Sequence, residues 1–446
     1  MRVRRALAAL AGGLLAGIMA CRAEPTPTDD RTLFTPEELA AIYRHSPLGP
    51  VPADPSDRVA DDPRAAALGQ FLFFDSRLSA NGRVSCASCH QASYGFTDGK
   101  TVASGLGAGI RNSPTVVNAA YNQWFFLDGR SDSLWSQALQ PIENPVEMGS
   151  DRLHIVLVVA QDPAVRDSYE QVFGPMPDFS TIHLRATHAR PGADSGALEV
   201  RAWNELPPGD RQAINRTFTN LGKAIEAYER RLVSQPAPFD RYVTALKRGD
   251  RLAQRDLSPA AIRGLKLFVG AARCELCHSG PTFSDGQFHN LGLAAAQDPG
   301  RAVGIRLLRA DPFNSGGAFS DAPYESSRRD RLSFLPDPNS QLGAFKTPSL
   351  REVSRTTPYM HDGRFASLEQ VLSFYAGDAP LRPHGATAAQ RERTLDLIPR
   401  LNPAQKLDLV AFLCALTGPA LPADLTHAPA HPWKTAPRPQ ARAISP

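Results

Sequence analysis

Cys86-Ala87-Ser88-Cys89-His90 and Cys274-Glu275-Leu276-Cys277-His278 are the two stretches on which the reading of this chain turns. Each is C-x-x-C-H, the spacing at which two thiols take up the two vinyl groups of a c-type haem while the adjacent histidine becomes the proximal iron ligand. A redox C-x-x-C pair has no need of the following histidine twice over, and a zinc site wants four ligands from one compact cluster. Two covalently bound c-type haems are therefore expected, on Cys86 and Cys89 with His90 and on Cys274 and Cys277 with His278.

The surroundings of the two motifs are copies of one another. Gly69-Gln70-Phe71-Leu72-Phe73 precedes the first and Gly264-Leu265-Lys266-Leu267-Phe268 the second. Downstream, Pro114 to Asp128-Gly129-Arg130 has the spacing of Pro348 to Asp362-Gly363-Arg364, and the match runs without a gap into Ser133-Leu134 and Ser367-Leu368. Each half reads as helix, haem-binding turn, long loop, Asp-Gly-Arg turn and a further helix. The expected fold class is mainly α, two tandem cytochrome c-like domains, loop-rich, with a haem in each core. Domain boundaries are expected at 61–245 and 246–420. A helical pattern at Asp210–Ser234 (Ile214, Phe218, Leu221, Ile225, Tyr228, Leu232) closes the first half. The polar stretch 184–208 reads as an inserted surface loop, and residues 421–446 as a Pro-rich tail.

Composition agrees with an ordinary folded protein. Of 446 residues 42% are hydrophobic and 21% charged, and 49 Lys plus Arg face 45 Asp plus Glu, too even a balance for a nucleic-acid binder. Arg2, Arg4 and Arg5 before the apolar run Ala6–Ala20 form an export signal over residues 1–20. Ile18-Met19-Ala20-Cys21 resembles a lipoprotein cleavage box, so Cys21 is the expected lipidation site, an incidental cysteine after a plain signal being the alternative. Residues 21–60 read as the tether of a periplasmic, membrane-anchored protein that touches the membrane only through that lipid. Cys414, in an apolar helical run, is expected to be a buried small hydrophobe.

The repeat also registers the two distal pockets. The helix at Leu368–Tyr375 starts at a capping Ser367, and the offset places Pro141 of the first half opposite Tyr375 of the second. Proline offers no donor atom and tyrosine offers an oxygen. One haem with an empty sixth position and one ligated by Tyr375 are therefore expected, with a plain core aromatic as the alternative reading of Tyr375 and Met360 as a rival ligand.

These residues resemble the di-haem cytochrome c peroxidase/MauG family from about Asp62 to Gly418. The likeness is carried by Leu72-Phe73-Phe74-Asp75, Gly95-Phe96-Thr97-Asp98-Gly99, Arg111-Asn112-Ser113-Pro114-Thr115, Pro145-Val146-Glu147-Met148, Phe345-Lys346-Thr347-Pro348 and Pro358-Tyr359-Met360-His361-Asp362-Gly363-Arg364. The resemblance implies Glu147 as distal acid–base carboxylate and Gln137 as pocket amide, with hydrogen peroxide as oxidant. It also implies an inter-haem calcium ion held by Asn112 and the carbonyls of Thr356 and Pro358. No histidine lies between His90 and His154, where the family's bacterial peroxidases carry a displaceable ligand, and their second-haem Met falls on Tyr375. Both departures resemble the MauG side, with the MbnH-type subgroup similar in arrangement. The implied activity is oxidation of a partner protein. Reduction of peroxide with electrons from a small cytochrome or cupredoxin is the alternative, and a non-catalytic electron carrier the third. The family's inter-haem Trp is Leu127 here, leaving Trp124 as relay candidate; His361 is expected to hydrogen bond, not to ligate iron.

Overall fold

The structure, a computed structural model, describes residues 29–293, 297–322, 331–378 and 390–432. The export signal and Cys21 lie outside the described residues. Within them the chain is helical and loop-rich, and its sheet consists of Phe288–His289 paired antiparallel with Phe345–Lys346, Phe288 opposite Lys346.

The same helix pair is built twice. Asp62 and Ser258 cap helices that begin on proline, Pro63–Phe74 and Pro259–Val269, because proline's fixed φ suits the first helical turn and its missing N–H costs nothing there. Each crosses a longer partner, Pro208–Glu229 in the first half and Pro403–Cys414 in the second. Glycine sits at both crossings because the backbones touch. A Cβ on Gly69 would stand 1.8 Å from the Ala224 carbonyl oxygen, and one on Gly264 would stand 2.0 Å from that of Asp408. One turn on, the Phe73 ring lies 5.2 Å from Tyr228 and the Phe268 ring 5.1 Å from Phe412. The loops repeat as well: Asn118 and Glu352, Phe126 and Met360, and Gly129 and Gly363 are equivalent pairs with positive φ. Bridges Phe125–Ser131 and Tyr359–Phe365 close the same turn in each half.

Two apolar cores result. The first gathers Leu68, Phe73, Trp135, Leu139, Phe218 and Tyr228, and draws in Phe313, Phe319 and Leu425 from far along the chain. The second gathers Phe239, Leu265, Phe268, Phe283 and Phe412, together with Phe34 and Ile42.

Three segments differ from their reading as loose chain. Much of the expected tether is folded: a capping box of Thr35 and Glu38 starts the helix Pro36–Arg44, and Ile42 is fully buried against the second core. His45 then sits 3.2 Å by its Nε2 from the His278 carbonyl. The polar insertion contains a helix, Leu198–Glu205, held by buried Val200 and Trp203. The start of the Pro-rich tail docks on the first half, where Tyr228 Oη donates to the Leu425 carbonyl (2.6 Å) and Gln70 Nε2 donates to those of Asp424 and His427. Cys414 is exposed, not buried, because the buried stripe of its helix runs through Leu409, Phe412 and Leu413 and leaves Cys414 on the outer face.

Candidate haem and peroxide site

A cavity of about 830 Å³ runs between the two halves. Its walls include Cys89 and His90 from the first motif and Cys274, Cys277 and His278 from the second. Gln137, Glu147, Tyr375, Met360, Asn112, Thr356 and Pro358 share the same cavity.

The two histidines are prepared alike for iron. Nδ1 of His90 lies 3.1 Å from the Phe96 carbonyl, and Nδ1 of His278 lies 2.9 Å from that of Phe283. Both phenylalanines adopt left-handed φ of 60° and 55°, which turns their carbonyls back to the rings. With Nδ1–H donating, Nε2 carries the free lone pair, the tautomer a proximal ligand requires. Burial lowers the pKa of both imidazoles, so they stay neutral. None of the four motif cysteines is in a disulfide, and burial pushes the Cys89 thiol up to about 11 and that of Cys274 to about 12. Paired thiols, a neutral histidine with its far nitrogen anchored, and an apolar cavity between them fit a c-type haem in each half.

The distal walls differ as the repeat requires. Ser133 caps the helix Leu134–Glu143, and Ser367 caps Leu368–Tyr375. Gln137 and Pro141 line the cavity from the first, Val371 and Tyr375 from the second. Just past the first helix, Glu147 Oε1 accepts a 2.6 Å bond from Asn144 Nδ2. Burial raises the Glu147 carboxyl against the opposing pull of Arg130 and Asn144. Burial also raises the Tyr375 phenol, with Cys277 and Cys274 adding to it, and its hydroxyl has no hydrogen-bond partner among the described residues. Met360 shares the cavity with φ of 72°.

Asn112 donates its backbone N–H to the His361 carbonyl (2.8 Å) and its side-chain Nδ2 to that of Lys100 (2.8 Å), which turns Oδ1 the other way. Trp124 does not line the cavity. It lies under Arg301 (4.7 Å) beside Ile305, Leu308 and Leu335, and its carbonyl accepts from Lys346 Nζ at 2.8 Å. Leu127 lines the cavity in its place. Within the second half Phe345 stacks on His361, centroids 3.8 Å apart, and the first half reaches this pair through the Arg111 guanidinium, 5.3 Å above Phe345. Arg111 is held by Asp128 (2.5 Å) and Asp298 (2.6 Å), and burial pushes His361 down to about 4. Sequence reasoning passed over the Phe345–His361 stack. Its one available signal was that His361 falls opposite Leu127 in the repeat.

Two further charged groups on the wall were given no role by the sequence reading. Lys346, half-buried, has no carboxylate partner among the described residues, and desolvation pushes its amine down to about 8. His289 lies between Asp285 (2.8 Å) and Glu392 (2.9 Å), and these bonds, the Asp285 one first, help push it up to about 11. No helix among the described residues is long and apolar enough to cross a membrane.

Comparison with known proteins agrees with this geometry. Residues 63–248 match the family described as di-haem cytochrome c peroxidase. The chain is 33% identical over 422 residues to the methylamine utilization protein MauG of Methylorubrum extorquens, covering 92% of this chain and 95% of that one. It is also 33% identical to the cytochrome-c peroxidase IdrP1 of Denitromonas iodatirespirans, over 86% of this chain and 92% of the relative. The crystal structure of a MauG-like protein associated with microbial copper homeostasis superposes with a TM-score of 0.57 at 25% identity, covering 86% of this chain and 96% of the other. The likeness spans both haem motifs and nearly the whole chain: the protein belongs to the di-haem cytochrome c peroxidase/MauG family of haem oxidoreductases that act with hydrogen peroxide.

Proposed function

We propose that this protein is a MauG-like oxidase that uses hydrogen peroxide to oxidise an aromatic residue of a partner protein through its second haem, with Tyr375 as distal ligand. The observation that carries the reading is the asymmetry of the two distal positions: Pro141 and Tyr375 occupy the same place on equivalent helices, and both line the cavity. When bound, the haems supply the redox chemistry of peroxide cleavage and hold the oxidising equivalents.

The chain's own residues do the rest. Glu147, as a carboxylate, takes a proton from one peroxide oxygen and returns it to the other. Asn144 holds that carboxylate by its 2.6 Å bond, and Gln137 offers an amide to the same pocket. Burial holds the Tyr375 phenol protonated, and Tyr375 would hold the second haem as a phenolate once the cofactor's positive charge offset that burial and the proton passed to water. A phenolate is a hard anionic ligand and stabilises oxidised iron, whereas a thioether favours the reduced state. In full turnover, peroxide takes two electrons and two protons and leaves as two waters, and the partner supplies both electrons.

Calcium held by Asn112 with the Thr356 and Pro358 carbonyls, haem-bearing units over 61–245 and 246–420, and export with lipidation at Cys21 belong to the same reading. Met360 supports a second one, in which its thioether ligates the second haem and the protein reduces peroxide with electrons from a small redox protein. Electron paramagnetic resonance of the oxidised protein after one equivalent of peroxide separates the two. Loss of both ferric signals without prior reduction supports the oxidase; no change until one haem is reduced overturns it.

A further inference from the structure

The helix register of the repeat exposes a second asymmetry, beside the first haem-binding motif. Gly69 meets Ala224 as Gly264 meets Asp408, and Phe73 meets Tyr228 as Phe268 meets Phe412. The next residue of each closing helix is therefore equivalent: Glu229 in the first half and Leu413 in the second. Leu413 is buried and lines the cavity that receives the second haem. Glu229 is 3% exposed and stands behind the cavity wall, its Oε2 has no hydrogen-bond partner among the described residues, and after burial it is the main influence raising the thiol of Cys86, the first haem's attachment residue.

A carboxylate in that position costs stability, since a charged or half-bonded buried group forfeits solvation that leucine never needed. Burial alone pushes the Glu229 carboxyl up to about 8, with no cation compensating. The charged groups nearby are engaged elsewhere. Arg230 is tied to Asp61 (2.7 Å), and Tyr228 donates to the Leu425 carbonyl. Phe73, from the helix packed on this face, is apolar, while Gln70 of that helix is bonded to the Asp424 and His427 carbonyls. Cys86, which also feels Glu147 and Cys89, is the ionisable group facing Glu229 from the motif itself, and it becomes an uncharged thioether on haem attachment.

We infer that Glu229 is the proton-binding group coupled to oxidation and reduction of the first haem. When that haem gains an electron from a reductant, its net charge falls by one. The nearby carboxylate then takes a proton from water and forms a carboxyl O–H bond. When an oxidant withdraws the electron, that O–H bond breaks and the proton returns to water. The charge of the buried pair thus stays constant, which matters most where peroxide chemistry adds positive charge to the site. At the equivalent place beside the second haem stands Leu413, which cannot bind a proton. This inference rests on family membership and haem attachment, not on the identity of the protein partner or on Tyr375.

The test is a spectroelectrochemical titration of the di-haem holoprotein from about pH 6 to about pH 10. The midpoint potential of one haem is expected to be flat while the carboxyl is protonated in both redox states and, above its oxidised-state pKa of about 8, to fall by up to about 59 mV per pH unit, the one-electron equivalent of a tenfold change. In Glu229→Gln that slope disappears while the other haem's potential is unchanged. A wild type without the slope, or a Glu229→Gln protein that keeps it, overturns the inference and assigns the proton to another group such as a haem propionate. If Glu229→Gln does not retain its haem, Glu229→Leu, the residue the second half uses here, replaces it in the same titration with the same two outcomes. In addition, a redox-difference infrared spectrum of the wild type lacking a carboxyl C=O band overturns it.

Discussion

Replacing Glu147 by glutamine keeps the shape and the capacity to hydrogen bond but removes proton transfer. In the wild type Asn144 donates a 2.6 Å bond to Glu147, and burial raises the carboxyl above its ordinary range while Arg130 pulls it back. A positioned acid–base group contributes roughly 10²–10⁴ in rate. At 1.36 kcal/mol per tenfold, that is about 2.7–5.4 kcal/mol of barrier. The assay is stopped-flow mixing of the oxidised di-haem protein with peroxide, following the haem absorption across a pH series. The group acts as a base, so the wild-type rate rises with pH through the raised Glu147 pKa. Glu147→Gln is slower by the stated factor and flat over that limb. Asn144→Ala removes a bond that favours the carboxylate, so the wild-type limb is displaced to higher pH without loss of the plateau. A Glu147→Gln protein within a few-fold of wild type and with the same pH profile refutes the assignment, since neither burial nor the Asn144 bond would then matter to the chemistry.

Tyr375→Phe removes the oxygen from the second distal position, so the electronic absorption and paramagnetic spectra of one haem change and partner oxidation is lost; identical spectra and activity dismiss the ligand. Gly69→Ala places a methyl 1.8 Å from the Ala224 carbonyl oxygen, where only backbone separation relieves the clash; a melting experiment should show at least the roughly 1–3 kcal/mol of an overpacked core, or no folded protein. His289, raised to about 11, contributes stability that is complete below its unfolded pKa of about 6.5 and is lost as pH rises toward the folded value. Thermal midpoints should therefore fall between neutral and strongly alkaline pH, and more shallowly in His289→Gln. With Cys277 held as a thioether, Asp285 and Glu392 carry this effect, and parallel slopes in the two proteins exclude it.

Much of the fold was legible because the repeat wrote it twice. The C-x-x-C-H motifs, the glycines at the helix crossings and the Asp-Gly-Arg turns are local signals whose spacing survives in both halves. The comparison of Pro141 with Tyr375 needed only that register, and both residues line the cavity as the offset implies. The segment 30–60 was harder. Its prolines and aspartates read as a tether, but Ile42 and the Thr35 cap make one short helix worthwhile once the second core is there to receive it.

Spacing alone determined the cofactor class and the doubling of the helix–turn–helix unit, and the resemblance of the ordered motifs pointed to the family, because covalent attachment and turn chemistry depend on residues adjacent in the chain. Only the tertiary structure decided which side chains share the cavity. It turned Trp124 outward under Arg301, stacked Phe345 on His361, brought Glu392 to His289, and buried Glu229 at Cys86 where the second half has leucine. These outcomes depend on the direction of a side chain and on what distant segments bury around it, and neither is encoded in the spacing of neighbours.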